Sequence, residues 1–332
     1  MLRRIPWITH VRRPAARTAC SAALVLATLL AGCRDAARQN DGERVVRTGY
    51  LTFTATLPFF VAQENGYFRD EGVRIVADAV GTSNLLVNAL AAGAIDFVPA
   101  LSAAPVFALE ATSPGRVRII SASIVDEAHP FDAILVRDTS AMRTLSDLRG
   151  ARIGVFPGTT ASNLLAKFLV DRGVDTTAMA FVALPPSNQI AALAQGAIDA
   201  LHAYEPVTTI AQLRAGMRPL FGSVYAAQLS PNPQGVAVLT SALIERDPDT
   251  ARRVVRALDR ALRFVQEQQD SARAILVARM QLDSVIVRQM AIPYMVPHAE
   301  IDTAALQRYA DLLHEIGELP AAIAAHSLLY RE

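Results

Sequence analysis

The chain is poor in the residues that most chemistry at a protein site requires. Only two of its 332 residues are cysteine, Cys20 and Cys33. Everything after position 33 is without a thiol, which excludes a disulfide framework, a cysteine-bound metal or cluster and a cysteine nucleophile in the body of the protein. Histidine is scarce too: beyond position 33, His129, His202, His298, His314 and His326 are scattered without metal-ligand spacing. Gly81-Thr82-Ser83 and Pro157-Gly158-Thr159-Thr160 are not phosphate loops, because no Gly-Lys-Ser/Thr follows either. No Gly-x-Ser-x-Gly nucleophile motif is present. The expectation is a protein with no catalytic residue, no cofactor and no metal. The apolar run at the N-terminus is shorter than the roughly 20 residues of a spanning helix, and later runs are broken by charges or Pro, so no transmembrane segment is expected.

What is present begins with a strongly biased N-terminus. Arg3, Arg4, Arg12, Arg13 and Arg17 precede an uncharged run over 18–32, with no acidic residue among them, which is the layout of an export signal. The run ends in Leu30-Ala31-Gly32-Cys33, which resembles a bacterial lipobox, so Cys33 is the expected lipid attachment site and 1–32 the expected signal peptide. A cysteine carrying more than one acyl chain, palmitate among them, would hold the protein stably on a membrane. Removing that segment changes the formal charge from +1 to −4, which argues against nucleic acid as a partner. Residues 33–44 are polar and read as a flexible tether. About 290 residues of globular sequence follow, enough for two lobes.

From position 45 the pattern alternates between short β-rich runs and helical runs. Strands are expected at 45–51, 73–80, 95–100 and 117–121, with helices at 58–65, 83–92 and 102–110 between them. Pro58 opens the first helix and Gly66 closes it, as Pro-early and Gly-late punctuation requires. The same order restarts at 152–156 (strand), 160–172 (helix), 180–184 (strand), 187–195 (helix) and 198–203 (strand). Leu90-Ala91-Ala92-Gly93-Ala94-Ile95-Asp96 matches Leu193-Ala194-Gln195-Gly196-Ala197-Ile198-Asp199 at an offset of 103. Architecture is therefore repeated: the fold class is α/β, with two lobes, each a mostly parallel sheet flanked by helices. Residues 45–128 with 240–332 form the expected first lobe and 129–239 the second, with hinge strands near 133–136 and 235–240. After 240 the pattern is helical to the end. Val254, Val255, Leu258, Leu262 and Val265 share one face, and Leu306, Tyr309, Leu312, Leu313 and Ile316 share another, both expected to cover the first lobe.

In an open parallel sheet the ligand crevice lies beyond the carboxyl ends of the strands, where helix N-termini present free N–H groups. The offset of 103 pairs Thr56 with Thr159, Asn84 with Ser187 and Ser102 with Glu205, every one between a strand end and a helix start. Two facing sets could enclose a small polar solute. Taken singly, each residue also fits an ordinary helix cap.

Gly49-Tyr50-Leu51, Pro58-Phe59-Phe60-Val61-Ala62-Gln63-Glu64-Asn65-Gly66-Tyr67-Phe68 and Glu71-Gly72-Val73 resemble the opening of the nitrate, sulfonate, taurine and thiamine-pyrimidine group of periplasmic binding proteins. So do Leu145-Ser146-Asp147-Leu148-Arg149-Gly150, Ile153-Gly154-Val155, Pro157-Gly158-Thr159-Thr160 and Tyr204-Glu205-Pro206. The resemblance spans about 45–207 and implies a two-lobed periplasmic binding protein fold of type II, closing by hinge motion. Its motifs carry over onto Thr56, Asn84, Ser102, Thr159, Thr160 and Glu205 as solute contacts. Tyr204 stands where many pyrimidine-binding members have Trp, and can stack on a ring. The resemblance further implies a monomer in the periplasm or on the outer face of the cytoplasmic membrane, partnered by an ABC permease and ATPase. No Arg or Lys lies in these loops, so an anion would rely on helix N-termini and hydroxyls, whereas Glu205 favours a solute with a donor group. Two alternatives remain open at this point. One is a ligand-sensing partner of a membrane receptor. The other is a thiamine-pyrimidine biosynthesis enzyme, whose fungal relative needs a cysteine-rich iron motif that this chain lacks.

Overall fold

A computed structural model describes residues 44–331. The expected signal peptide 1–32, the lipid-attachment residue Cys33 and the tether up to position 43 lie outside the described residues; Arg44, expected at the tether's end, instead opens the first strand.

Eleven strands form two sheets among these residues. They are β1 (Arg44–Tyr50), β2 (Val73–Ala79), β3 (Phe97–Ser102), β4 (Val117–Val125), β5 (Asp132–Arg137), β6 (Arg152–Val155), β7 (Ala180–Ala183), β8 (Ala200–Tyr204), β9 (Met217–Phe221), β10 (Asn232–Thr240) and β11 (Tyr294–Pro297). The helices are α1 (Leu57–Glu64), α2 (Tyr67–Asp70), α3 (Ser83–Ala91), α4 (Ala103–Thr112), α5 (Thr159–Val170), α6 (Pro186–Ala194), α7 (Val207–Arg214), α8 (Val224–Gln228), α9 (Ser241–Arg246), α10 (Pro248–Glu267), α11 (Gln269–Met280), α12 (Ser284–Gln289) and α13 (Thr303–Glu315). The α/β alternation read from the sequence is present with most ends shifted by one or two residues, whereas the strand expected at 117–121 runs on to Val125.

Strand order is β11-β4-β10-β3-β1-β2 in the first sheet and β7-β6-β8-β5-β9 in the second. Read from the β2 and β7 sides, the two orders share one plan. Pairing is mixed: β1 is parallel to β2 and β3, and β6 to β7 and β8, whereas β10 and β5 run antiparallel to their neighbours. β11 is likewise antiparallel to β4, but the reversal of β5 and β10 has one cause. Each is fed from the other sheet and enters at the edge where its neighbours end. The expectation of hinge strands at 133–136 and 235–240 therefore differs from the structure. Those residues are the fully paired interiors of β5 and β10, and the chain crosses between sheets at 126–131 and, through α8, at 222–231. Apolar strand-like runs marked sheet interiors, because a crossing carries few ladder hydrogen bonds.

The expectation of helix from 240 to the end also needs correction. Tyr294–Pro297 forms β11, antiparallel to β4, a four-residue edge strand too short to show a period of two. The helical faces around it are as read. Asp247 caps α10 by accepting from the Thr250 N–H at 3.0 Å, and Val254, Val255, Leu258, Leu262 and Val265 are all buried. They pack with Phe59, Phe60, Phe68 and Phe97 beneath the first sheet. A second cluster is shared by both sheets and joins Leu164 and Phe168 of α5 to Tyr309 and Leu313 of α13.

The repeat is visible atom by atom. Arg47 donates to Asp96 from both its backbone and its guanidinium, and Arg152 does the same to Asp199. Gly49 and Gly154 hold matching places. A Cβ on Gly49 would lie 2.6 Å from Leu86 Cδ2, and one on Gly154 would lie 2.5 Å from Ile198 Cδ1. In both sheets the strand next to the edge carries glycine where a packed aliphatic side chain leaves no room for a Cβ.

Candidate functional site

Topology alone brings the predicted positions to one place. Strands β1, β2, β3 and β4 run in the same direction, so their carboxyl ends share an edge; so do those of β6, β7, β8 and β9. The 126–131 crossing leaves the carboxyl end of β4 and enters β5 beside Tyr204, since Asp132 pairs with Tyr204. The 222–231 crossing returns from β9 to β10 beside Ser102, since Gly235 pairs with Ser102. Both crossings connect the same two edges, which therefore face each other.

On the first-sheet side, Thr56 is fully buried and donates its hydroxyl to the Leu51 carbonyl at 2.6 Å, closing the turn after β1. Asn84 is exposed on the first turn of α3, where Thr82 rather than Asn84 is the cap, accepting from Leu85 N–H at 3.3 Å. Ser102 ends β3 half-buried, and its N–H donates to Ser83 Oγ at 3.3 Å, which brings the α3 and α4 starts together. Thr56 and Ser102 stand at the caps of α1 and α4, yet neither side chain caps its helix. The ordinary capping role is not how these hydroxyls are used.

On the second-sheet side, Thr159 and Thr160 open α5 and both donate to one carboxylate, Glu318 Oε2, at 3.2 and 2.5 Å. Asn163, one turn on, donates to Glu318 Oε1 at 2.7 Å. Ser187 is exposed at the start of α6 and donates to Asn188 Oδ1 at 3.2 Å. Tyr204 stacks on Phe131 and Tyr225, with centroids 5.9 and 5.7 Å away, and its hydroxyl is 2.6 Å from that of Tyr225. Burial pushes both phenols above the usual tyrosine range, so they stay neutral. Phe156, at the end of β6, lies 5.9 Å from Tyr204 and remains 40% exposed, an aromatic surface still free to meet a solute.

Glu205 is placed differently from the others. Its carboxylate accepts from the Thr209 hydroxyl at 2.9 Å and the Thr209 N–H at 3.3 Å, on the first turn of α7. Burial raises its pKa against the opposing pull of those hydrogen bonds. Alone among the predicted residues it lines a cavity of about 400 Å³, with Phe131, Asp132, Thr208, Ser223 and Gln289. That volume suits a small molecule.

Three features escaped the sequence reading. Asn163 was accessible to it, since i, i+3 and i+4 spacing puts Thr159, Thr160 and Asn163 on one helix face. Glu318 was not, because it arrives from beyond α13, 155 residues further along the chain. Asp132 was also missed. Wholly buried, it lies 2.8 Å from His202 Nε2 and accepts from Ser223 Oγ at 2.5 Å and Val224 N–H at 2.9 Å. This Ser–Asp–His set is not a catalytic relay: the carboxylate sits in the middle, so the serine has no base. It pins the start of one crossing strand to the other crossing. No group of three or more His, Cys, Asp or Glu able to hold a metal occurs among the described residues, and no helix among them is long and apolar enough to cross a membrane.

Comparison with known proteins agrees with this architecture. A family model described as NMT1/THI5 like matches residues 54–272. An Escherichia coli (strain K12) relative named as an aliphatic sulfonates-binding protein is 24% identical over 242 residues, covering 72% of this chain and 73% of its own length. The crystal structure of the periplasmic aliphatic sulphonate binding protein SsuA from Escherichia coli superposes with a TM-score of 0.72 at 20% identity, over 87% of this chain and 92% of that one. The desulfurization enzyme DszB shares the fold at a TM-score of 0.64 and 16% identity, over 87% and 97% of the two chains. Fold therefore does not distinguish binder from enzyme. The expected α/β periplasmic binding protein fold is the one observed, and with more than half of its length matched by the family model, the chain belongs to the NMT1/THI5-like family.

Proposed function

We propose that this protein is an extracytoplasmic solute-binding protein that captures a small molecule between two closing lobes and presents it to an ABC permease and ATPase. The observation that carries this reading is the pair of facing strand-end edges, between which the described chain crosses at 126–131 and 222–231, with Thr56, Asn84 and Ser102 on one side and Thr159, Thr160, Ser187, Tyr204 and Glu205 on the other. In this reading the first-sheet half and the second-sheet half are the lobes, and the two crossings are the hinge. The names of the relatives, which are binding proteins, support a non-catalytic role, and the edges offer hydroxyls, amides and aromatic faces suited to holding a solute. Lipid attachment at Cys33, a monomeric state and a periplasmic position, or one on the outer face of the cytoplasmic membrane, belong to the same proposal.

The solute class is that of nitrate, sulfonates and taurine, or an aminopyrimidine. The sulfonate names of the relatives favour the first. The chemistry available to such a head group is the N-terminus of α5 with its hydroxyls and amide, a ready seat for an anion. Half-exposed Phe156 and Leu85, at the β6 end and the α3 start, offer apolar contact to a short tail.

Isothermal titration with alkanesulfonates, taurine, nitrate and aminopyrimidines, paired with thermal melting, tests the reading. A ligand at a hundred times its dissociation constant adds about 2.7 kcal/mol, which raises the melting point by several degrees. Glu205→Ala is expected to weaken that ligand without unfolding the chain. Turnover of a ligand during the titration would replace the binding role with an enzymatic one.

A further inference from the structure

We propose that Glu318 is an internal latch: its carboxylate fills the anion seat at the start of α5, holds the two lobes together in the unliganded protein, and must be displaced by an acidic solute. The inference rests on the binding-protein reading and deepens it by naming what guards the site.

Glu318 follows α13, which packs against β10 and α4 on the first sheet, whereas α5 belongs to the second. The contact is therefore made across the cleft. Both carboxylate oxygens are used, Oε2 by the Thr159 and Thr160 hydroxyls and Oε1 by the Asn163 amide. All three donors are uncharged, and the positive end of the α5 dipole lies behind them. Two of these donors, Thr159 and Thr160, are ones that the family motif assigns to solute, and here they are already engaged by a group of the chain itself. A neighbouring ion pair, Lys167 with Glu315 at 3.1 Å, joins the same two helices further from the cleft. It has no access to the α5 N-terminus, so it can steady the approach of the lobes without competing for solute.

Two consequences follow. A solute bearing a sulfonate or carboxylate cannot share these donors with Glu318, because like charges about 4 Å apart repel strongly in a partly desolvated cleft. Once displaced, the latch is replaced by a solute that makes the same bonds and restores closure. Glu318 thus raises the threshold for entry and selects for a head group able to satisfy three donors at once.

The test uses the full chain and two substitutions, Glu318→Ala and Asn163→Asp, the second placing a carboxylate opposite the first. Small-angle X-ray scattering of the ligand-free proteins is expected to show a larger radius of gyration for both variants than for the parent. If neither variant opens, the latch is overturned, whatever the solute. Titration with methanesulfonate and hexanesulfonate is expected to give at least tenfold tighter binding to the Glu318→Ala chain. Equal or weaker binding by that variant, where the parent binds, also overturns the latch and leaves Glu318 as an ordinary lobe contact. If the variants open and neither parent nor variant binds any sulfonate, the latch stands and the sulfonate solute class falls.

Discussion

The two lobes carry the same parts and use them for different ends. In the first, Asp96 is 4% exposed and holds Arg47, with Arg246 also 3.5 Å away; in the second, Asp199 holds Arg152 on a more exposed surface. At the matched loops after β1 and β6, Thr56 spends its hydroxyl on its own turn, whereas Thr159 and Thr160 bond to Glu318 from beyond α13. At the third matched loop the first lobe has Ser102 and the second a carboxylate, Glu205, committed to its own helix. The crossing strands diverge as well. Asp132 opens β5 and grips the other crossing, whereas Asn232 opens β10 and only donates its amide to the Tyr225 carbonyl at 3.2 Å. At these matched positions Thr56 and Asp96 of the first lobe bond within their own lobe, whereas Thr159, Thr160 and Asp132 of the second bond beyond their own elements.

That contrast can be broken at four places. The largest effect is expected at the crossing strands. Asp132→Ala leaves His202, Ser223 and the Val224 N–H buried without their acceptor and should cost about 3–5 kcal/mol, against about 1 for Asn232→Ala, measured by urea unfolding. Equal costs would show that the two crossings are pinned alike.

The Arg–Asp pairs come next. Asp96→Asn should cost about 2 kcal/mol and Asp199→Asn under about 1, since the latter pair is better solvated. Burial alone would raise the Asp96 pKa, but its bonds to Arg47 hold it below the ordinary value; the Arg152 bonds lower that of Asp199. Both contributions are therefore complete above the ordinary aspartate pKa of about 3.9, and fade as pH falls from there towards the lower folded values. Stability followed from about pH 5 to 2 should flatten in the Asp96→Asn chain more than in its partner.

Thr56→Val leaves the Leu51 carbonyl without its buried donor and should cost about 1 kcal/mol of global stability. Thr160→Val, at the matched loop, should cost less than half of that while loosening the lobes, read by scattering of the free protein. The smallest effect is expected at Glu205. Its pKa is raised by burial, so the folded state binds the proton more tightly, and stability should decline as pH rises from the ordinary glutamate value of about 4.3 through the raised one. Glu205→Gln should abolish that slope and leave stability at neutral pH unchanged or higher by up to about 1 kcal/mol. A slope that persists would place the titration elsewhere.

Much of this fold was legible because its signals are local. Pro58 and Gly66 bounded a helix, the 3.6 period of Val254, Val255, Leu258, Leu262 and Val265 marked a buried face, and the seven-residue repeat at offset 103 announced a second copy of the first lobe. Errors arose where a signal is short or ambiguous. The interiors of β5 and β10 looked like connectors because they are apolar and isolated in sequence, and β11 is too brief to display alternation. The candidate site was legible as a set of loop positions, since the carboxyl ends of parallel strands are defined by strand order alone. Which of those positions hold free side chains was not.

Sequence by itself determined the elements, their repetition and the face of each helix that would be buried, because those depend on residue spacing within a few turns. Tertiary structure decided the partners. Asp96 and Asp199 received their arginines from strands 49 and 47 residues away, and Asp132 came to lie between the two crossings. The α5 N-terminus received Glu318 from the far end of the chain. Hydrogen bonds and ion pairs are made at about 3 Å between groups that only packing brings together, and no local pattern encodes a distance of that kind.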